Sequence, residues 1–159
     1  MLRWRVVATD TMGNATSFPS FPDPLDSPEY CGTIAEDAST STSQLPVLHW
    51  FTANPSAAND RSGTRSSVYF LGEFYDNILT DLHGQSTSGF PKKRYDLDFN
   101  AGDRFRWKDG ERKVKDLNLL TNWADKSKVR NTLAYEVLRD TGAPYHFAFA
   151  VRVQQNGAF

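Results

Sequence analysis

Apolar and polar residues alternate along the first part of this chain as β-strands require, because successive side chains of a strand point to opposite faces. Leu2 to Ala8 alternates, residues 11–14 supply turn chemistry, and Ala15 to Phe18 starts a return strand. The pattern predicts a β-hairpin. A two-stranded hairpin is marginal in water, so we expect it to pair further, either with a preceding domain or with the edge of the following one.

Further stretches predict the strands of a sheet. Leu45 to Ala53 is an apolar run typical of a buried strand, and Ser67 to Leu82 alternates on both sides of a turn at 71–73. Residues 115–120 place alternate leucines on one face. Residues 92–99 predict a strand on which Lys93 shares a mostly apolar face with the residues two, four and six positions later.

A helix is predicted over residues 128–140. Asp125 or Ser127 precedes it as a cap, and Gly142 followed by a proline ends it. An apolar stripe, formed by Val129, Leu133, Val137 and their neighbours, is expected to pack on the sheet, with Glu136 at its border.

Strands that follow strands without helical crossovers predict an α+β fold, in which an antiparallel sheet packs against one main helix. Residues 1–18 form the hairpin, and residues 19–44 read as a linker that is first proline-rich and then rich in small polar residues. Residues 45–159 form the main domain.

The segment WRVVATDTMGNAT also resembles the last hairpin of fibronectin or immunoglobulin-like domains.

Composition narrows the classes of function. The formal net charge is −1, so the chain lacks the basic field of a nucleic-acid-binding protein. The single cysteine excludes an internal disulfide, and the three histidines lack the spacing of metal ligands, so no metal site is predicted in the chain. No apolar run is long enough to span a bilayer, and the first residues lack a signal-peptide pattern.

The central stretch, Asp81 to Asn100, carries the candidate chemistry. Gly84 and Gly89 permit a backbone that gathers N–H groups, and the hydroxyls of Ser86, Thr87 and Ser88 add donors, so the loop suits a phosphate. The alternative from composition is an ordinary hairpin with a solvated loop, because short glycine motifs are weak signals.

Several pieces of the sequence together resemble the CotH kinase family of spore-coat proteins, which are atypical protein kinases. These pieces are HGQSTSGFPKKRYDLDF, the preceding YFLGEFYDNI, and the later LNLLTNWADKSKVRNTLAYEVLRDTGAP. They resemble the family's RGxSS loop, its FPKKSY-like strand, its LNLxxxxxDxSxLR segment and its LAYELxxxxGxP helix. The resemblance extends from about Val68 to the end of the chain, in order and in register.

The resemblance implies the small lobe of a kinase that uses ATP and Mg or Mn to phosphorylate a protein on serine. A strand lysine would hold the nucleotide phosphates and a helix acid would hold the lysine. The nucleotide-binding roles fall on Lys93, with Lys92 as its substitute, on Glu136, and on the loop residues Gly84, Ser86 and Thr87.

Two loop residues depart from the family pattern. His83 replaces the common arginine, and Gln85 replaces the frequent asparagine. Because histidine is mostly neutral at pH 7, the positive charge at this corner of the loop becomes conditional.

By resemblance, the catalytic aspartates of the kinase are expected beyond Phe159, so no catalytic residue is assigned within this chain. The chain is then expected to be an amino-terminal lobe of a multidomain protein that is inactive alone, and whether it is an enzyme in its own right stays open. The combination of an immunoglobulin-like hairpin with CotH suggests an extracellular or cell-surface parent.

A second interpretation is a non-catalytic, β-rich binding or adhesion module of a surface protein. Four tryptophans favour it, although they are scattered through the chain and scattered aromatics more often fill cores. ATP-dependent stabilisation that Lys93→Ala abolishes would separate the two interpretations.

Overall fold

The structure, a computed structural model, describes residues 1–36, 38–86 and 88–159. Within these ranges the chain is mostly β-structure. In chain order the elements are β1 (Leu2–Trp4), β2 (Val6–Thr9), β3 (Ala15–Phe18), β4 (Cys31–Thr33), α1 (Ala38–Ser41), β5 (Val47–Thr52), a 3-10 turn (Ala57–Asn59), β6 (Thr64–Phe70), β7 (Glu73–Leu82), β8 (Tyr95–Asp98), β9 (Asp116–Leu119), α2 (Arg130–Asp140) and β10 (Arg152–Gln155).

A six-stranded sheet in the order β10-β5-β6-β7-β8-β9 forms the body of the molecule. The predicted hairpin in its centre is confirmed, because β6 and β7 pair antiparallel across a two-residue turn. Leu71 and Gly72 occupy this turn with φ of 46° and 85°, the positive values that the tightest hairpin turns require.

The last strand corrects the expectation of a purely antiparallel sheet. Neighbours from β5 to β9 pair antiparallel, but β10 lies parallel to β5, with Val153 opposite Leu48. The chain leaves the sheet at β9 on one edge and returns after α2 to the other edge. A long crossover of this kind permits parallel pairing, whereas a short hairpin does not.

The core lies on one face of this sheet. On β9 the predicted alternation is confirmed, since Leu117 and Leu119 are buried and Asp116 and Asn118 are exposed. Full burial of a large apolar side chain stabilises a fold by about 1.5–3 kcal/mol. The buried apolar residues are Leu48, Trp50, Ala58, Val68, Phe70, Tyr75, Ile78, Leu97, Phe99, Phe105, Leu117 and Leu119.

The helix forms where the sequence predicts it, but its expected packing on the sheet is wrong. Asp125 accepts a hydrogen bond from the Arg130 backbone N–H, and Gly142 at φ 74° ends the helix. No residue of α2 is buried, and Leu133 and Val137 are 54% and 61% exposed. A regular apolar stripe predicts a helix face, but it does not say which surface that face meets.

The predicted amino-terminal hairpin is confirmed, since β2 and β3 pair antiparallel from Val6 opposite Phe18 to Thr9 opposite Ala15. β1 instead pairs with β4, which lies against β7. A Cβ atom on Gly32 of β4 would come within 2.4 Å of the Phe74 ring, so the absence of a side chain at Gly32 leaves room for this ring.

Asp76 ties this amino-terminal region to the main sheet. Its carboxylate is almost fully buried and accepts hydrogen bonds from the backbone N–H groups of Glu29 (3.2 Å) and Tyr30 (2.9 Å) and from the Ser67 hydroxyl (2.7 Å). The guanidinium of Arg3 lies 3.7 Å away. The segment that the sequence predicts as a linker is therefore held against β7.

No helix in the described ranges is long and apolar enough to cross a bilayer.

Candidate functional site

The candidate site is the loop of residues 83–94, which joins the end of β7 to the start of β8. The His83 backbone N–H donates to the Arg94 carbonyl at 3.0 Å, so the base of the loop is closed. Gly84 has φ of 83°, which a residue with a side chain rarely adopts. Ser86 is exposed, and Thr87, also predicted at this site, lies outside the described residues.

Lys93 belongs to this loop, not to the strand that follows it. The predicted strand covers residues 92–99 and so includes Lys93. The observed strand β8 begins at Tyr95, after the lysine. The Lys93 ammonium donates a hydrogen bond to the Ser88 carbonyl, and its side chain is half-buried. Lys92 is exposed, and its carbonyl accepts a hydrogen bond from the Thr121 hydroxyl at 3.3 Å. The structure thus brings the ammonium of Lys93 onto the backbone of the predicted phosphate loop.

A second cation, which the sequence analysis missed, reaches the same loop. The Arg61 guanidinium donates to the Gly84 carbonyl at 2.6 Å, and Arg61 is exposed. Arg61 is 23 residues from Gly84 in sequence, and no spacing pattern connects the two. Only the fold could bring them together.

Backbone contacts explain how the loop that carries Arg61 reaches this position. The Leu82 N–H donates to the Asp60 carbonyl at 3.1 Å, and the Tyr95 hydroxyl donates to the Asn59 side chain at 2.8 Å. Gly63 has φ of 67°, and a Cβ atom there would lie 2.6 Å from the Thr80 carbonyl. The loop before β6 therefore lies directly on the end of β7.

Carboxylates cover the adjoining outer face of the sheet. Asp81 lies opposite Asp96 across β7 and β8, and Asp98 lies opposite Asp116 across β8 and β9. These four side chains line an open cavity of about 400 Å³ together with His83. The His83 Nδ1 atom is 2.8 Å from the Asp96 carboxylate, so this imidazole faces the acidic surface.

The pKa values of two of these carboxyls, Asp81 and Asp116, are raised. Burial raises the pKa of Asp81, and the charge of Asp96 raises it further, although Arg61 acts in the opposite direction. Partial desolvation raises the pKa of Asp116, although this side chain is largely exposed, and a hydrogen bond to Asp98 and the charge of Asp98 add to this effect. Like charges directly opposite each other destabilise a sheet.

The predicted acid, Glu136, lies exposed on α2. Among the residues with described side chains, no ion pair within 4.0 Å joins it to Lys93 or Lys92. In this structure the amine of Lys93 instead contacts a carbonyl of its own loop. The pairing of Lys93 with Glu136 stays a prediction.

A metal ion needs several protein ligands in one place. Outside the two undescribed positions, no group of three or more His, Cys, Asp or Glu side chains is arranged to hold one. The aspartates of the acidic face are therefore not arranged as a metal centre in the described part of the chain.

Comparison with known protein families matches residues 81–159 to the family described as CotH kinase protein. The matched segment includes the loop, Lys93 and Glu136, whereas Arg61 lies outside it. No curated protein matches the chain.

Proposed function

Because the chain belongs to the CotH kinase family through residues 81–159, we propose that its 83–94 loop binds the phosphates of ATP in a protein kinase. The observation that carries this proposal is the position of Lys93, whose ammonium lies on the backbone of the loop. An ammonium with three donors uses one of them on the Ser88 carbonyl and has others to offer an anionic oxygen. Lysine is a common phosphate-binding residue of this kind.

The other residues of the loop have distinct roles in the proposal. Gly84 has a left-handed backbone, a conformation that anion-binding turns use, and Ser86 offers an exposed hydroxyl. Thr87 would add a second hydroxyl. Lys92, which is exposed beside Lys93, contributes charge at longer range.

Glu136 is proposed as the acid that orients Lys93 when nucleotide is bound. Kinases hold the phosphate-binding lysine with a carboxylate from a neighbouring helix, and Glu136 is the acid that the family resemblance indicates. Exposure of α2 leaves this carboxylate accessible to a partner.

Within the proposal, the parent protein transfers phosphate to a serine of a protein substrate. ATP supplies the γ-phosphoryl group, and Mg or Mn accompanies it in kinases. The described residues of this chain bind and orient the phosphates, and we assign the transfer step to none of them.

The proposal is tested by calorimetric titration of the chain with ATP and Mg²⁺. We expect Lys93→Ala to weaken ATP binding at least tenfold, because a cation that contacts phosphate is lost. Lys126→Ala, which removes an exposed lysine of the segment before α2, is the matched control and should bind as the wild type does.

Two results would contradict the proposal. One is a wild-type chain that does not bind ATP, and the other is equal binding by Lys93→Ala and Lys126→Ala. Adenosine serves as a further control, because a chain that binds adenosine as well as ATP does not recognise the phosphates.

A binding module without nucleotide chemistry is the second candidate function. Trp4 and Trp123 are each 48% exposed, and exposed tryptophans are enriched where proteins meet ligands. Absence of ATP binding, combined with quenching of tryptophan fluorescence by an oligosaccharide, would favour this candidate over the kinase lobe.

A further inference from the structure

We propose that Arg61 is a second phosphate-binding residue of the 83–94 loop and selects nucleotides with more than one phosphate. This inference rests on the proposed function of the loop. It adds a residue that lies outside the segment matched by the family.

The Arg61 guanidinium lies against the backbone of the loop. Arg61 donates from Nη2 to the Gly84 carbonyl at 2.6 Å, at the residue where the backbone turns left-handed. A guanidinium carries several N–H donors in a planar fork, so the one contact with Gly84 leaves donors for a phosphate oxygen. Because Arg61 is exposed, a ligand can reach it.

The acidic face of the sheet sets the electrostatic environment of Arg61. The acidic face begins beside the loop, with Asp81 and Asp96 opposite each other, and it repels an approaching phosphate. His83, the loop's own ionisable residue at this corner, is directed at Asp96. Arg94 is a permanent cation at the base of the loop, and Arg61 adds a second one from elsewhere in the fold, whose charge acts on Asp81.

The backbone that carries Arg61 is held in place by the end of β7. The backbone bond between Leu82 and Asp60 and the contact of Gly63 with Thr80 fix the Arg61 loop to the end of β7. An arginine anchored next to its target loses less conformational entropy on binding than one on a mobile loop.

The two cations at the loop indicate the class of ligand. Arg61 contacts the loop at the Gly84 carbonyl and Lys93 contacts it at the Ser88 carbonyl, so the two cations reach the loop at positions four residues apart. A single phosphate meets one of them, whereas a di- or triphosphate chain spans both. The site therefore suits a nucleoside polyphosphate better than a monophosphate.

The test compares binding of ATP, ADP, AMP and inorganic tripolyphosphate by calorimetry at one ionic strength. The variants are Arg61→Ala, Arg61→Lys and the control Arg112→Ala, which removes an exposed arginine near Gly110. We expect Arg61→Ala to weaken ATP and tripolyphosphate about tenfold and AMP less than twofold, with partial recovery in Arg61→Lys.

The outcomes separate this inference from the proposed function. If Lys93→Ala abolishes ATP binding but Arg61→Ala binds ATP as Arg112→Ala does, the role of Arg61 is refuted and the phosphate loop stands. Equal weakening of ATP and AMP by Arg61→Ala refutes the selection of polyphosphates. If the wild type binds none of the four ligands, both proposals fail. Far-UV circular dichroism of each variant checks that Arg61→Ala is folded, and Arg61→Gln is the replacement if it is not.

Discussion

On the outer face of the sheet, the side chains of Asp98 and Asp116 lie where their charges destabilise the fold. Asp98 and Asp116 face each other across adjacent strands, and Lys115 is the cation closest to Asp98, at 3.3 Å. A sheet tolerates such a pair when one carboxyl keeps its proton or when a cation lies between the two. Desolvation raises the pKa of Asp116, and the hydrogen bond to Asp98 and its charge raise this pKa further.

The conflict makes stability depend on pH in a defined direction. Because the pKa of Asp116 is raised in the folded chain, the folded state holds its proton more tightly than the unfolded state does. The resulting stabilisation is complete below about pH 4, the usual aspartate range, and is lost as the pH rises through the raised pKa.

Asp116→Asn should therefore stabilise the chain at pH 7 by about 0.5 kcal/mol relative to the wild type, with little difference at pH 3.5. Urea unfolding at the two pH values measures the change. Glu111→Gln removes a charge from an exposed site and is the control. A gain at pH 7 that Glu111→Gln reproduces would show that net charge, and not the pair, is responsible.

Among the secondary-structure elements, α2 differs most from its prediction, because its apolar stripe predicts a buried face and that face is exposed. Its stripe has the spacing of a core-facing helix, yet the side chains lie exposed, while Leu97 on β8 is fully buried. Stability should therefore reside in the sheet and not in the helix.

We expect Leu133→Ser to change the free energy of unfolding by about 0.5 kcal/mol or less, because the side chain is already half in water. Leu97→Ala should cost about 2–5 kcal/mol, because it opens a cavity in the core. Denaturant unfolding of both variants measures the contrast. A loss of several kcal/mol in Leu133→Ser would mean that the stripe of α2 is buried in the protein in solution.

The elements that the sequence predicts well are those whose pattern is local. The β6–β7 hairpin, the alternation of β9 and the ends of α2 all follow from neighbouring residues, and the structure has them. The parallel position of β10 and the surface beneath α2 depend on contacts between distant segments, which a periodic pattern does not encode.

The candidate site also combines local features, which the sequence predicts, with contacts between distant segments, which it does not predict. The glycine loop and its lysine are visible in one stretch of sequence, whereas Arg61 joins them only because its loop lies on the end of β7. The alternation of the predicted strand also does not give the direction of the Lys93 side chain, because β8 begins after this residue.

The molecule as a whole has little net charge, but its charges are segregated. Cations gather at the 83–94 loop and at Arg61, while four aspartates line the neighbouring face. A cationic loop beside an acidic surface favours an anion that can place its negative groups on the loop alone. This segregation of charge, together with membership of the CotH kinase family, supports a phosphate-binding loop.

The most direct measurement is the change in backbone amide NMR shifts of the ¹⁵N-labelled chain on addition of ATP, with adenosine as the comparison. We predict that ATP shifts the amides of residues 83–94 and of the Arg61 loop, and that adenosine leaves them in place. Shifts confined to other surfaces, or equal shifts with adenosine, would contradict phosphate binding by the loop.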